Sequence, residues 1–238
     1  MATKKKKAAR RAPLSTERVL RAALKLADDD GLEALSMRKL AQALKVEAMS
    51  LYNHVANKED ILSGLVELVA SEIELLPSGG DWRAAMRQRA RSAHAVLMAH
   101  PWATMLFVSR VNVGPVMLRY VDDTIMILRG AGFSWPLADH AWNALDAFIY
   151  GFTLQKLNFP LAPDDYARAA AQFLPLIPAD RFPGLNGMSQ EVIAGRQDGL
   201  HQLDLGLELL LDGLEALRRA EQPGASTTTT PTTTTLSR

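Results

Sequence analysis

Between residues 36 and 58 the chain concentrates side chains fit for reading DNA: Arg38, Ala48, Met49, Ser50, Tyr52, Asn53, His54 and Lys58. The Arg38 guanidinium has the fork geometry for a bidentate contact to guanine or to a phosphate. Ser50 can bond a base edge or a phosphate, Asn53 can serve either base edge or backbone, and Ala48 and Met49 can touch a thymine methyl. Tyr52, His54 and Lys58 fall where phosphates would pass. Each residue alone is an ordinary surface residue. Together they form an unusual surface, because a merely solvated helix rarely presents Met, Tyr, Asn and His side by side.

Positioning such a set takes two short helices and a tight turn. The major groove, about 12 Å wide, admits one helix, and a preceding helix must cross the DNA backbone to hold it in register. Ser36 is a good N-cap, and Leu40, Ala41 and Leu44 then share one face. Lys45 and Val46 make the break, and residues 47–54 form the second helix, with Leu51 and Val55 turned inward. An earlier helix over 16–30 carries Val19, Leu20, Ala23, Leu24 and Ala27 on one face and ends at Gly31. Asp28, Asp29 and Asp30 oppose the macrodipole at its C-terminus, so this end is expected to be solvent-exposed and frayed. Asn57 caps a fourth helix expected to reach Pro77.

Helical periodicity punctuated by Pro and Gly continues over 82–100, 102–110, 115–129, 136–158 and 163–176. A loop is expected over 178–187 and a last helix over 190–219. No β pattern and no repeat stands out. The expected fold class is all-α: a three-helix head at 15–62 and a larger helical bundle at 63–220, flanked by a disordered basic arm at 1–14 and a disordered Thr-rich tail at 221–238.

At 238 residues, with 48% hydrophobic and 22% charged content, the chain is expected to be a soluble globular protein. It has no cysteine, which excludes disulfides, thiolate nucleophiles and Cys-based zinc sites. No apolar run approaches the roughly 18 residues of a membrane span, so a cytoplasmic location without membrane partners is expected. The net charge of +1 hides an asymmetry: +6 over residues 1–11, +1 over 12–58 and −6 over the remainder. Such a chain suits a polyanion met at one end only, although Lys4 to Lys7 also read as a solvated tail. No HExxH pair, GxSxG elbow, P-loop or GxGxxG after a strand is present, so catalysis has little support.

The run RKLAQALKVEAMSLYNHVANKEDIL resembles the DNA-binding head of the tetracycline-repressor family of bacterial regulators, most specifically in Leu51-Tyr52-Asn53-His54-Val55-Ala56-Asn57-Lys58. The stretches 129–134, 152–154 and 205–209 resemble the same family at similar spacing, so the likeness covers roughly residues 15–218. It implies a homodimer joined through C-terminal helices, two heads in successive major grooves of a palindromic operator, and a small-molecule pocket in each body. It also assigns base or phosphate contacts to the eight residues named above.

Family members that hold a metal-chelated drug place a histidine before the Val113-Gly114-Pro115 region and a glutamate near the end of the Phe152 helix. Here those neighbourhoods read Met105-Leu106-Phe107-Val108 and Leu157-Asn158-Phe159, so neither a metal site nor a cofactor is expected. An apolar or aromatic effector is expected instead, lined by Trp82, Met86, Phe107, Met126, Trp142, Phe148 and Phe152, each of which also reads as an ordinary core residue. His94, His100, His140, Asn143 and Gln155 are the candidate polar anchors. The last helix offers Leu203, Leu207, Leu210 and Leu214 as a dimerisation stripe, with Gly206 and Gly213 allowing close approach. The expected function is a repressor released from its operator by effector. An activator, an effector-independent regulator and a nonspecific nucleic-acid-binding protein remain open.

Overall fold

The computed structural model describes residues 13–221 except 76, 78, 163–164 and 198–201. The basic run at 4–11 and the threonine-rich end lie outside them. The described chain forms α1 (Thr16–Asp30), α2 (Met37–Leu44), α3 (Ala48–Leu51), α4 (Lys58–Ser71), α5 (Trp82–Ala99), α6 (Ala103–Ser109), α7 (Pro115–Gly130), α8 (Trp135–Asn158), α9 (Tyr166–Phe173), α10 (Pro183–Ile193) and α11 (Leu203–Ala220), and the described residues contain no strand. The all-α expectation holds.

The head is α1 to α3 closed over the start of α4. Val19, Ala23, Leu35, Leu40, Leu51, Val55 and Ile61 are buried there, matching the apolar spacing read in α1 and α2. Ser15 and Ser36 each accept an amide from the first turn of their helix, Arg18 N and Lys39 N at 3.2 Å. The turn between α2 and α3 is a left-handed C-cap: Lys45 has φ 57, its N–H donates to Gln42 O, and Val46 N–H donates to Ala41 O.

α4 joins head to body, packing against α1 on one side and α6 and α7 on the other. The division expected at 62/63 falls inside this single helix. It ends at Ser71 rather than Pro77, where the backbone tightens and Ser92 Oγ accepts the Glu74 N–H at 2.8 Å. In the body, α5, α7, α8 and α11 pack on one another. The α7–α8 corner is a Schellman motif that requires glycine: Gly132 has φ 91, and the next residue, Phe133, donates to Leu128 O and is fully buried edge-on against Trp82 at 4.9 Å.

Two expectations near the C-terminus fail. The segment 178–187 is not all loop, because α10 begins at Pro183, a residue preorganised for a first helical turn. The single helix expected over 190–219 is two: α10 stops at Ile193 with Gly195 at φ 70, and α11 starts at Leu203. α9 and α10 pack mainly on each other.

Candidate nucleic-acid interface and effector site

α3 is shorter than the eight-residue helix expected from sequence. Its regular part is Ala48–Leu51, after which Tyr52 to His54 continue as hydrogen-bonded turn, Val55 N–H still reaching Leu51 O at 3.0 Å. No side chain caps its start, and Leu51 and Val55 anchor it from beneath at 0% and 3% exposure. Met49, Tyr52 and Asn53 face solvent, while Ala48, Ser50 and His54 are half-buried. The His54 carbonyl accepts from Thr16 Oγ1 at 3.1 Å, which fixes the end of this element to the start of α1. Arg38 lies exposed in the first turn of α2 and Lys58 opens α4.

Most basic residues of the body are matched with carboxylates, whereas Arg38, Lys45 and Lys58 enter no ion pair among the described residues. Lys45 was not singled out from sequence as a contact. Its left-handed turn conformation, which brings it beside the start of α3, has no sequence signal because that position ordinarily favours Gly or Asn.

Three joints connect head and body. Glu67 of α4 accepts Val116 N–H at 2.7 Å and Met117 N–H at 3.0 Å, so one carboxylate satisfies two free amides at the start of α7. Arg110, at the end of α6, pairs with Glu59 in the first turn of α4. His100, just past α5, has its Nδ1 2.7 Å from Asp28 of α1 and its Nε2 3.2 Å from Glu72, and Trp102 Nε1 donates to the same Asp28 oxygen at 2.8 Å. Burial works against protonation of His100, but the two carboxylates outweigh it and raise its pKa above the ordinary histidine value.

These contacts overturn the expectation of a frayed acidic end on α1. Asp28 is held by the body, Asp29 pairs with Lys25 and Asp30 with Lys39, which together offset the unfavourable dipole.

The body centre holds a polar cluster that sequence reading missed. Arg89 of α5 is 0% exposed, and its Nη2 donates to Asp146 of α8 at 2.5 Å. Its guanidinium lies 4.6 Å from the Tyr120 ring centroid on α7, and Tyr150 Oη donates to the other Asp146 oxygen at 3.3 Å. Phe107 of α6 meets Tyr150 edge-on at 6.0 Å. Burial disfavours the Arg89 charge, yet Tyr120 and Asp146 hold its pKa above the ordinary arginine value, and burial pushes both phenols up, so both stay neutral. Arg89 Nε and Nη1, Tyr120 Oη, Thr104 Oγ1 and Trp142 Nε1 are buried without a partner. The available signal was an arginine among the apolar positions of α5, at the spacing of Met86 and Ala93.

The family model described as "Bacterial regulatory proteins, tetR family" matches residues 19–65, and "Tetracyclin repressor-like, C-terminal domain" matches residues 76–218. The HTH-type transcriptional repressor DrrR1 of Streptomyces coeruleorubidus is 31% identical over 221 residues, covering 87% of this chain and 81% of that protein. This chain belongs to the tetracycline-repressor family. Tetracycline repressor protein class C of Escherichia coli is 30% identical over 86% of this chain and 92% of its own length. Among solved structures, the Streptomyces coelicolor TetR family protein ActR in complex with actinorhodin superimposes with a TM-score of 0.74 at 32% identity, covering 87% of this chain and 99% of that one.

Within this family fold, the residues expected to line an effector site divide. Trp82, Met86 and Phe107 are buried, Trp142, Phe148 and Phe152 are half-buried, but Met126 is 47% exposed on the outer side of α7 and does not join them. Among the expected polar anchors, His100 is used by the head–body joint and His140, Asn143 and Gln155 are exposed, leaving His94, which contacts Thr153 Oγ1 at 2.9 Å. Among the described residues no group of acidic or histidine side chains is arranged to hold a metal ion. No helix there is long and apolar enough to cross a membrane.

The leucines of the expected dimerisation stripe do not share one exposure. Leu207 and Leu214 are buried in their own chain, and Leu203 and Leu210 are half-buried. Gly206 is not open to a second helix, because Phe148 of α8 occupies the space a side chain would need, whereas Gly213 is open. The outward face of α11 carries Leu205, Leu209 and Leu217 instead, at 65%, 70% and 54% exposure. Beside it, α8 turns Ala147 and Gly151 to solvent.

Proposed function

We propose that this regulator is a homodimeric repressor whose α3 elements read a palindromic operator and whose bodies release it on binding a small aromatic effector. The observation that carries the reading is the head surface. Met49, Tyr52 and three unpaired cations stand on a fully buried frame, and that frame is tied to the body by α4. The DNA roles remain those of the sequence reading: Ala48 and Met49 at bases, Tyr52, His54 and Lys58 at phosphates, and Ser50, Asn53 and Arg38 at either. Lys45 joins the phosphate set.

The dimer is built from the outer faces of α8 and α11, where Ala147, Gly151 and Gly213 permit close helix approach and Leu205, Leu209 and Leu217 supply apolar area. The α9–α10 pair, with Phe173, Leu176, Leu185 and Met188 exposed, offers further apolar area to the second copy. The protein works in the cytoplasm, carries no catalytic role, and needs neither cofactor nor metal.

Release is a coupling between two equilibria. Effector held among α5, α6, α7 and α8 shifts α6 and α7. Glu67 and Arg110 pass that shift to α4, and α4 respaces the heads. DrrR1 is named a repressor and ActR was crystallised with actinorhodin, which supports repression and an effector in the body. The test is anisotropy of a labelled operator fragment titrated with solvent extract of the source organism's culture. Loss of the bound state supports the proposal, and unchanged binding at every extract concentration contradicts it.

A further inference from the structure

We infer that the Arg89 centre is the polar end of the effector site and selects an uncharged aromatic compound bearing acceptor oxygen, a carbonyl or hydroxyl group, over carboxylates and amines. This rests on the proposed effector site in the body and names its ligand chemistry.

Charge balance carries the argument. Arg89 already has its counterion in Asp146 at 2.5 Å, with Tyr150 bonded to the same carboxylate, so the cluster is neutral as it stands. A carboxylate entering it would leave a net buried negative charge and an ammonium a net positive one, and either costs heavily away from water. Hydrogen-bonding capacity is not balanced. The unpartnered Arg89 Nε, Arg89 Nη1 and Trp142 Nε1 are pure donors, and Tyr120 Oη carries a hydrogen as well. What is missing is acceptor oxygen without charge.

The surroundings set the rest of the molecule. Trp142, Asp146 and Tyr150 recur at every fourth position of α8, which puts an indole and a phenol on either side of the carboxylate along one helix face. Phe107 closes against Tyr150, and the Tyr120 ring lies on the guanidinium. A flat aromatic ring with its oxygen aimed at Arg89 and Tyr120 matches both the ring edges and the free donors.

Isothermal titration of the full-length protein with four probes sharing one naphthalene frame tests this: 2-acetonaphthone, 2-ethylnaphthalene, 2-naphthoate and 2-naphthylmethylammonium. The ketone is expected to bind about tenfold more tightly than the hydrocarbon, with both ions weaker than the ketone. Tyr120→Phe should erase most of the ketone's advantage and leave the hydrocarbon unchanged. Asp146→Asn should leave the Arg89 charge unbalanced and raise 2-naphthoate above the ketone.

Tightest binding by either ion to the unaltered protein overturns the inference. So does equal binding of ketone and hydrocarbon, binding by none of the four, or a ketone preference untouched in Tyr120→Phe. Operator release is read in parallel. Ketone binding in the expected order without release contradicts the release mechanism alone, whereas release by hydrocarbon and ketone alike contradicts the ligand chemistry alone.

Discussion

Glu67 occupies the space that a side chain at Gly114 would need, so a Cβ added there would collide with the carboxylate. The glycine lets Glu67 stay at its cap, since a Cβ there would push the carboxylate away, while the backbone φ of −69 suits any residue. Because Glu67 also caps α7, the pair links the helix leaving the head directly to the body.

Gly114→Ala and Glu67→Ala should therefore act alike. Each should lower stability by about 1–3 kcal/mol, since two amides at a partly buried helix start lose their acceptor. Denaturant unfolding measures this. Operator binding should survive at temperatures where the variants stay folded, while effector-induced release weakens. An unchanged midpoint in both variants would show that the cap contributes nothing.

At Lys45 the sequence places a long side chain where the fold uses a left-handed residue. Lys45→Gly should relieve about 1 kcal/mol of strain and raise Tm. The same change should weaken binding to every DNA sequence and reduce the salt dependence by roughly one phosphate contact. A rise in Tm with DNA affinity unaltered would remove Lys45 from the interface.

The His100 joint makes the head–body contact pH-dependent. Because Asp28 and Glu72 raise the folded-state pKa above the ordinary value of 6.5, the joint contributes fully below the unfolded pKa. That contribution is lost as pH rises through the raised folded pKa. Thermal midpoints of the parent protein should fall across this window relative to His100→Gln, and the two curves should run parallel well above it. Parallel curves throughout would show that His100 gains nothing from its carboxylates.

On the outer face of α11, Leu209→Glu should turn dimers into monomers and abolish operator binding while helix content is kept, because Leu209 is 70% exposed in the single chain and buries no core. Leu207→Glu, at 0% exposure, should instead unfold the body. Sedimentation and circular dichroism separate the two outcomes. A Leu209→Glu protein that remains a dimer would place the interface elsewhere.

The head was largely legible in the sequence because its cues are local: Ser36 and Asn57 as caps, and Leu40, Leu44, Leu51 and Val55 at helical spacing. What failed depended on contacts between distant segments. Asp28 looked misplaced on α1 because His100 and Trp102 are seventy-odd residues away in the chain. Arg89 does not stand out in the sequence because its partner, Asp146, lies on another helix. On α11, periodicity finds an apolar helix but does not say that Phe148 takes the Gly206 side, so it does not separate the buried Leu207 and Leu214 from the exposed Leu205 and Leu209. The end of α10 turned on Gly195, one left-handed residue in a sequence that otherwise reads as helical.

The central claim is that residues 48–58 read a specific DNA sequence, and selection of bound fragments from the source genome by the full chain at physiological salt tests it most directly. The account predicts recovery of a shared inverted repeat. Recovery should fall on all sequences in Tyr52→Ala and Lys58→Ala, and the selected bases should shift in Ala48 and Ser50 substitutions. Recovered fragments with no common sequence, or equal losses on all sequences from both sets of substitutions, would contradict it.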